Sequence, residues 1–222
     1  MAIDEEAAPV RGSSYVSVAY SQIRGLILSG ELAPGQRVTV RPLADRLSLS
    51  QTPIRTALAA LERQGMLEAQ EHRGYFVPQL GREDMLELYE LREALDGIAS
   101  RRAAHSESRA SLVDRLEDLL RQQQTCVAEG DLDAYGELDV AFHQMIWHGS
   151  GNRRLAAVSD NLLGQMRIGN NISARAPGRP EVALKEHAAI IEALKNADGP
   201  AAERLARDHV HRTSLALSEL LD

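Results

Sequence analysis

The stretch SLSQTPIRTALAALERQGML, Ser48 to Leu67, joins a polar turn to an amphipathic helix and follows another helix after one short bend. Ser50 stands where its hydroxyl can accept a hydrogen bond from a free amide of the next turn, an N-cap. Pro53 falls in the first helical turn, where a missing amide costs little and its fixed φ suits a helix. Ile54, Leu58 and Leu61 recur at spacings of three and four, one apolar stripe that must face a core. Gln51, Thr52 and Arg55 lie near the helix start and off that stripe, where amide, hydroxyl and guanidinium groups reach phosphates and base edges. Gly65 ends the helix.

Upstream, Thr39 caps a short helix carrying Leu43, Ala44 and Leu47, and Ser48, Leu49 and Ser50 form the turn, which is helix-turn-helix spacing. After Gly65 the period changes. Met66 to His72 and Arg73 to Val77 predict two short strands joined by a basic, glycine-containing turn, a wing. With a long helix expected from about Val16 to Ser29, residues 15–78 are expected to form a winged helix-turn-helix domain, preceded by a flexible arm over 1–14.

At 222 residues with 44% hydrophobic content, the chain can bury one large core or two small ones. No apolar run approaches the roughly 20 residues needed to span a bilayer, and the acidic start from Met1 to Val10 lacks the basic-then-apolar order of a signal peptide. A cytoplasmic protein with no membrane partner is expected. Cys126 is the single cysteine, which excludes an internal disulfide and a cysteine-rich zinc site. The net charge of −7 is unevenly spread: residues 11–80 hold eight Arg against five Asp plus Glu, whereas residues 81–222 hold 17 basic and 24 acidic residues. The part expected to face DNA is the basic part.

Pro78 to Glu83 contains proline and glycine, and a hinge is expected over 79–83. Beyond it, over 84–222, helical periods predict six segments: Asp84 to Ala104, Ser108 to Glu129, Asp133 to Gly149, Asn152 to about Ala174, Pro180 to Asn196, and Pro200 to Leu221. Gly130, Gly149 to Gly151, Pro177 to Pro180 and Gly199-Pro200 separate them, and no strand-like alternation intervenes. The expected fold is mainly α: an N-terminal winged helix-turn-helix and a C-terminal antiparallel helical bundle of six to seven helices.

In the third bundle segment Asp139 and His143 are four apart and project from one face, a metal-ligand spacing that equally describes an ion pair. His187 and His209 sit beside apolar positions of inward stripes in the fifth and sixth segments. One carboxylate and three imidazoles from three helices would suit a divalent cation, Zn²⁺ foremost, with Ni²⁺ or Mn²⁺ as alternatives. His148, beside Trp147, reads as bundle packing or as support behind the ligands, and His211 as solvated.

VAYSQIRGLILSGELAPGQRV, RPLADRLSLSQTPIRTALAALERQGML and HRGYFV closely resemble the winged-helix domain of GntR-family bacterial transcription regulators. LYELREALDGIA, LDVAFHQMIWHGSGN and KEHAAIIEAL with the later DHVHR resemble the helical ligand-binding FCD domain of the FadR-type subfamily. The resemblance implies DNA contacts at Arg41, Ser50, Thr52 and Arg55, beside Gln51, and a wing tip of His72, Arg73 and Gly74 in the minor groove. Gln51 stands where the family most often has Arg, Thr56 where it usually has Glu, and Pro42 where an acidic residue is common. Base preference is thereby open, since Gln can read adenine where Arg would read guanine.

The resemblance also places Asp139, His143, His187 and His209 on the family's metal-ligand positions. It implies that Arg92 faces an effector cavity, the alternative being a surface arginine bonded to Glu93 or Asp96; Asn161, Gln165 and Asn170 are candidates to line the same cavity. The expected protein is a homodimeric regulator, more often a repressor in this family, that binds double-stranded operator DNA and responds to a small organic acid or other carboxylate-bearing metabolite. A regulator whose metal is purely structural is the alternative. A metalloenzyme is disfavoured, because the four ligands include no separate general base and Glu186 projects away from His187 on its helix.

Overall fold

The computed structural model describes residues 11–168 and 176–220. The chain divides into two compact units between Gln79 and Leu80.

The first unit is built from α1 (Arg11–Leu28), β1 (Arg37–Val38), α2 (Val40–Leu47), α3 (Gln51–Arg63), β2 (Glu68–Gln70) and β3 (Gly74–Phe76). Ala19, Ile23 and Ile27 form a stripe at intervals of four on α1, and they share a core with Ile54, Ala57, Leu58 and Leu61 of α3. α2 and α3 are joined by a turn in which Ser48 takes a left-handed φ of 53°. That conformation lets the amides of Ser48 and Leu49 reach back to the carbonyls of Asp45 and Ala44 and close α2. Gly65 does the same for α3 at φ 69°, with Gly65 and Met66 amides on Glu62 and Leu61.

The sheet is antiparallel in the order β1-β3-β2, with Arg37 opposite Phe76 and Ala69 opposite Tyr75. The wing strands are the pair expected from sequence. β1 was not expected: two residues are too few to show a period, and only the partner strand defines it.

The second unit holds six helices among the described residues: α4 (Arg82–Ala103), α5 (Arg109–Glu129), α6 (Leu132–Gly149), α7 (Arg153–Ile168), α8 (Arg179–Lys195) and α9 (Gly199–Leu220). Their bounds follow the sequence breakers, and Asp131 caps α6 by accepting from the Ala134 amide at 3.0 Å. α4 lies along α9, and a Cβ on Gly97 would come within 2.6 Å of Arg207 Cγ, so glycine is what lets that side chain lie against α4. Leu112, Leu116 and Leu120 of α5, Phe142 and Ile146 of α6, and Ile190 and Leu194 of α8 make the main core. The fold is thus mainly α, a winged helix-turn-helix followed by a helical domain. Among the described residues no helix is long and apolar enough to cross a membrane.

Candidate functional site

In the first unit the start of α3 presents its polar face. Ser50, Gln51, Thr52 and Arg55 are all exposed, as is Arg41 near the start of α2. Ser50 and Thr39 do occupy N-cap positions with extended backbone, but neither side chain makes the capping hydrogen bond expected of it. The Ser50 hydroxyl therefore remains available to an outside acceptor. Arg55 Nη2 donates to Gln51 Oε1 at 3.3 Å, and Thr56 Oγ1 turns back to the Thr52 carbonyl at 3.2 Å.

The wing tip carries His72 at φ 60° and Gly74 at φ 95°, both exposed. Its turn is closed by the Arg73 amide on the Gln70 carbonyl at 3.0 Å. The Arg73 guanidinium lies 5.4 Å over the Phe76 ring. Arg37 Nε of β1 donates to the Arg73 carbonyl at 2.6 Å, a brace that sequence reasoning missed because nothing in the sequence paired β1 with the wing.

In the second unit Asp139 and His143 of α6, His187 of α8 and His209 of α9 converge, their ligand-type atoms all within 4.8 Å of one another. The three imidazoles are 3%, 0% and 2% exposed. Asp139 Oδ1 is 3.6 Å from His187 Nε2, and its Oδ2 is 4.0 Å from His143 Nε2. Tyr135, one turn earlier on α6, donates to Asp139 Oδ1 at 3.4 Å. Phe142 stacks on His187 at 3.9 Å between centroids and fixes the ring plane.

Each imidazole is held from behind at Nδ1. His143 Nδ1 lies 2.9 Å from Asp96 Oδ2, His187 Nδ1 is 3.0 Å from Gln123 Oε1, and His209 Nδ1 is 2.7 Å from Glu186 Oε2. Among the described residues Nε2 of His143 and of His187 is buried without a hydrogen-bond partner. Bare buried nitrogens are costly unless something occupies them, and neutral imidazoles with a carboxylate suit a borderline divalent cation.

Burial disfavours the charged form of His187 and of His209. Burial, followed by the positive influence of His209, His143, Arg179 and Arg92, pushes His187 well below the usual histidine range. Burial also lowers His209 to about 4, against the pull of Glu186. Burial alone would raise Asp96 and Glu186, but His143, Arg92 and Trp147 outweigh it at Asp96, and hydrogen bonds from His209 and Arg212 bring Glu186 down to about 2. Glu186 is thus a fixed anion, paired with His209, Arg179 at 2.7 Å and Arg212 at 2.6 Å.

Arg92 is 5% exposed, with Nε 3.5 Å from Asp96 Oδ2, so it is a buried arginine beside Asp96 and not a surface one. Asn161 and Gln165 are half-buried on α7, and Asn161 Oδ1 has no partner among the described residues. Asn170 lies outside the described residues. His148 is exposed and pairs with Asp160 at 3.2 Å, so it neither packs in the bundle nor supports the cluster. Sequence reasoning missed Asp96, Gln123, Glu186 and Arg179 as partners of the histidines. Their common signal was a polar side chain at a core-facing period, as Asp96 is in the buried series Met85, Tyr89, Arg92, Ala99 and Ala103.

The family described as bacterial regulatory proteins, gntR family, matches residues 16–77, and the FCD domain matches residues 87–212. The chain is 26% identical over 204 residues to the HTH-type transcriptional regulator YdhC of Bacillus subtilis (strain 168), covering 91% of each. It is 27% identical over 201 residues to the HTH-type transcriptional repressor RspR of Escherichia coli (strain K12), covering 90% of this chain and 88% of that one. Its fold is similar to that of E. coli McbR/YncC, with a TM-score of 0.78 at 21% identity, over 94% of this chain and 99% of the other. The chain belongs to the GntR family of DNA-binding bacterial transcription regulators, with an FCD domain as its second unit.

Proposed function

We propose that this protein is a ligand-responsive repressor, acting as a homodimer on a near-palindromic operator, whose FCD domain holds a divalent metal and a carboxylate-bearing metabolite. The observation that carries the proposal is the buried meeting of Asp139, His143, His187 and His209, two of whose Nε2 atoms have no partner among the described residues. Those four residues would hold the cation. When bound, it would supply Lewis-acid attraction for the carboxylate of an incoming acid. Arg92 would orient that acid, with Asn161, Gln165 and Asn170 as the further polar candidates. In the winged unit, Arg41, Ser50, Thr52 and the wing residues His72, Arg73 and Gly74 would bind backbone phosphate and minor groove, leaving Gln51 and Arg55 to read base edges.

The effector acts only through a difference in its affinity for DNA-competent and DNA-incompetent arrangements of the dimer. The segment 79–83 is where we place that rearrangement. The test is metal analysis of the purified protein together with operator titrations in the presence of small organic acids. About one equivalent of metal per chain, and an operator affinity that shifts with one acid, support the reading. Absence of bound metal after loading, or turnover of the acids without operator binding, overturns it.

The near-complete burial of all three imidazoles also favours a second reading, a metal that is purely structural. Thermal-shift titration separates the two. Stabilisation by metal with none by any acid selects the structural metal.

A further inference from the structure

The supports behind the three imidazoles are chemically unequal. His187 leans on a neutral amide, Gln123, whereas His143 and His209 lean on carboxylates, and each carboxylate is itself backed by a buried arginine. Behind His143 stands Asp96, then Arg92; behind His209 stands Glu186, with Arg179 reaching both the carboxylate at 2.7 Å and His209 Nδ1 at 3.2 Å. Two separate pairs of helices bring together the same three groups, imidazole, carboxylate and guanidinium. The first runs between α6 and α4, and the second between α9 and α8.

We propose that Asp96 and Glu186 are positioning residues that fix His143 and His209 with Nε2 turned into the cluster, and that these two arginine-backed carboxylates set its affinity for a divalent cation. The inference rests on the metal reading of the site. Its physical basis is the count of donors around each carboxylate. Asp96 accepts the indole N–H of Trp147 on Oδ1, and its Oδ2 lies within ion-pair distance of His143 Nδ1 at 2.9 Å and of Arg92 Nε at 3.5 Å. Glu186 takes His209 and Arg179 on Oε2 and Arg212 on Oε1. An amide of the same shape offers one acceptor and one NH₂ group, so in either position a donor must face a donor. The group most free to respond is the imidazole, which would turn away from the cluster or exchange its tautomer. Each arginine lies within ion-pair distance of its carboxylate and helps hold it in place, so the acceptor is set before any cation arrives.

The test is a competition titration of Co²⁺ against a chelator, using the full-length, metal-stripped protein, with the visible Co²⁺ absorption recorded alongside. Asp96→Asn and Glu186→Gln are each expected to weaken Co²⁺ binding by about 10- to 100-fold and to move the absorption bands, because a ligand has turned. A merely structural role would lower the stability of the metal-free protein without moving the bands. If Asp96→Asn does not fold, Glu186→Gln carries the test, since Arg212 is at the surface where water can serve it. Wild-type Co²⁺ affinity and unchanged bands in a folded Glu186→Gln protein overturn the positioning role. Failure of the wild-type protein to take up Co²⁺ overturns instead the metal reading on which it rests.

Discussion

The indole N–H of Trp147 meets Oδ1 of Asp96 at 2.5 Å, and both residues are almost wholly inaccessible to water. Trp147 is one turn beyond His143 on α6, so a single carboxylate on α4 receives two successive turns of the neighbouring helix.

Trp147→Phe keeps an aromatic ring but removes that donor together with one ring of the buried indole, and it is expected to destabilise the protein by at least about 1.5 kcal/mol, the scale of a hydrogen bond to a buried charge, with the cavity adding to it. Urea unfolding measures it; a loss under about 0.5 kcal/mol would show that the contact contributes little.

His143→Ala is expected to lose most of the bound metal while leaving a folded protein. The ring is one of the four proposed ligands and does not belong to the aliphatic core. Elemental analysis at full occupancy would remove His143 from the ligand set.

The metal-stripped protein should lose stability on mild acidification. An unfolded histidine takes up a proton near 6.5, whereas His209 holds out to about 4 and His187 also lies well below 6.5. Between those values the unfolded chain binds protons that the folded one does not, so stability falls as pH drops from 6.5 towards 4. Glu186, at about 2 against 4.5 when free, extends the loss to lower pH in the same direction. Denaturation midpoints in chelator that stay level from about pH 7.5 to about pH 5 would contradict the burial of neutral imidazoles.

Arg55→Ala is expected to weaken binding to a cognate operator by about 1–3 kcal/mol and to relax preference at one base pair. Gel-shift titrations at fixed salt measure it, and an unchanged affinity would take Arg55 out of the reading surface.

Ala197 closes α8 at φ 56°, where its Cβ is crowded and glycine is not. Ala197→Gly should therefore stabilise the protein by roughly 0.5–1 kcal/mol, net of the freedom glycine adds to the unfolded chain. A lower melting temperature in a thermal scan would show that the left-handed turn is not retained in solution.

The helices and the wing were legible because each rests on local signals. Pro53 and Gly65 bracket α3, and Ile54, Leu58 and Leu61 declare its buried face within a few turns. The four ligand-type residues were legible through the 139–143 spacing and a family resemblance. Their supports were not. Gln123 sits at the period of Leu112, Leu116 and Leu120, and Glu186 beside His187 reads as an acid directed away from the cluster. It does point away from His187, yet α9 brings His209 to meet it, a partner 23 residues on that no local period announces. The absent capping bonds of Ser50 and Thr39 have the same origin: position was readable, but rotamer was not.

β1 is two residues long, yet it changes what the wing is. A lone two-stranded hairpin is marginal in water. Here Arg37 and Val38 pair with β3, and the Gly35 amide to Val77 carbonyl and Val77 amide to Gln36 carbonyl bonds continue the seam at 2.8 and 3.0 Å. The β3 amides should therefore exchange with deuterium on the slow schedule of the whole winged unit, while those of β2, at the sheet edge, exchange sooner. The wing is thus anchored along one side only, which leaves its outer strand the freer of the two to yield to whatever it meets.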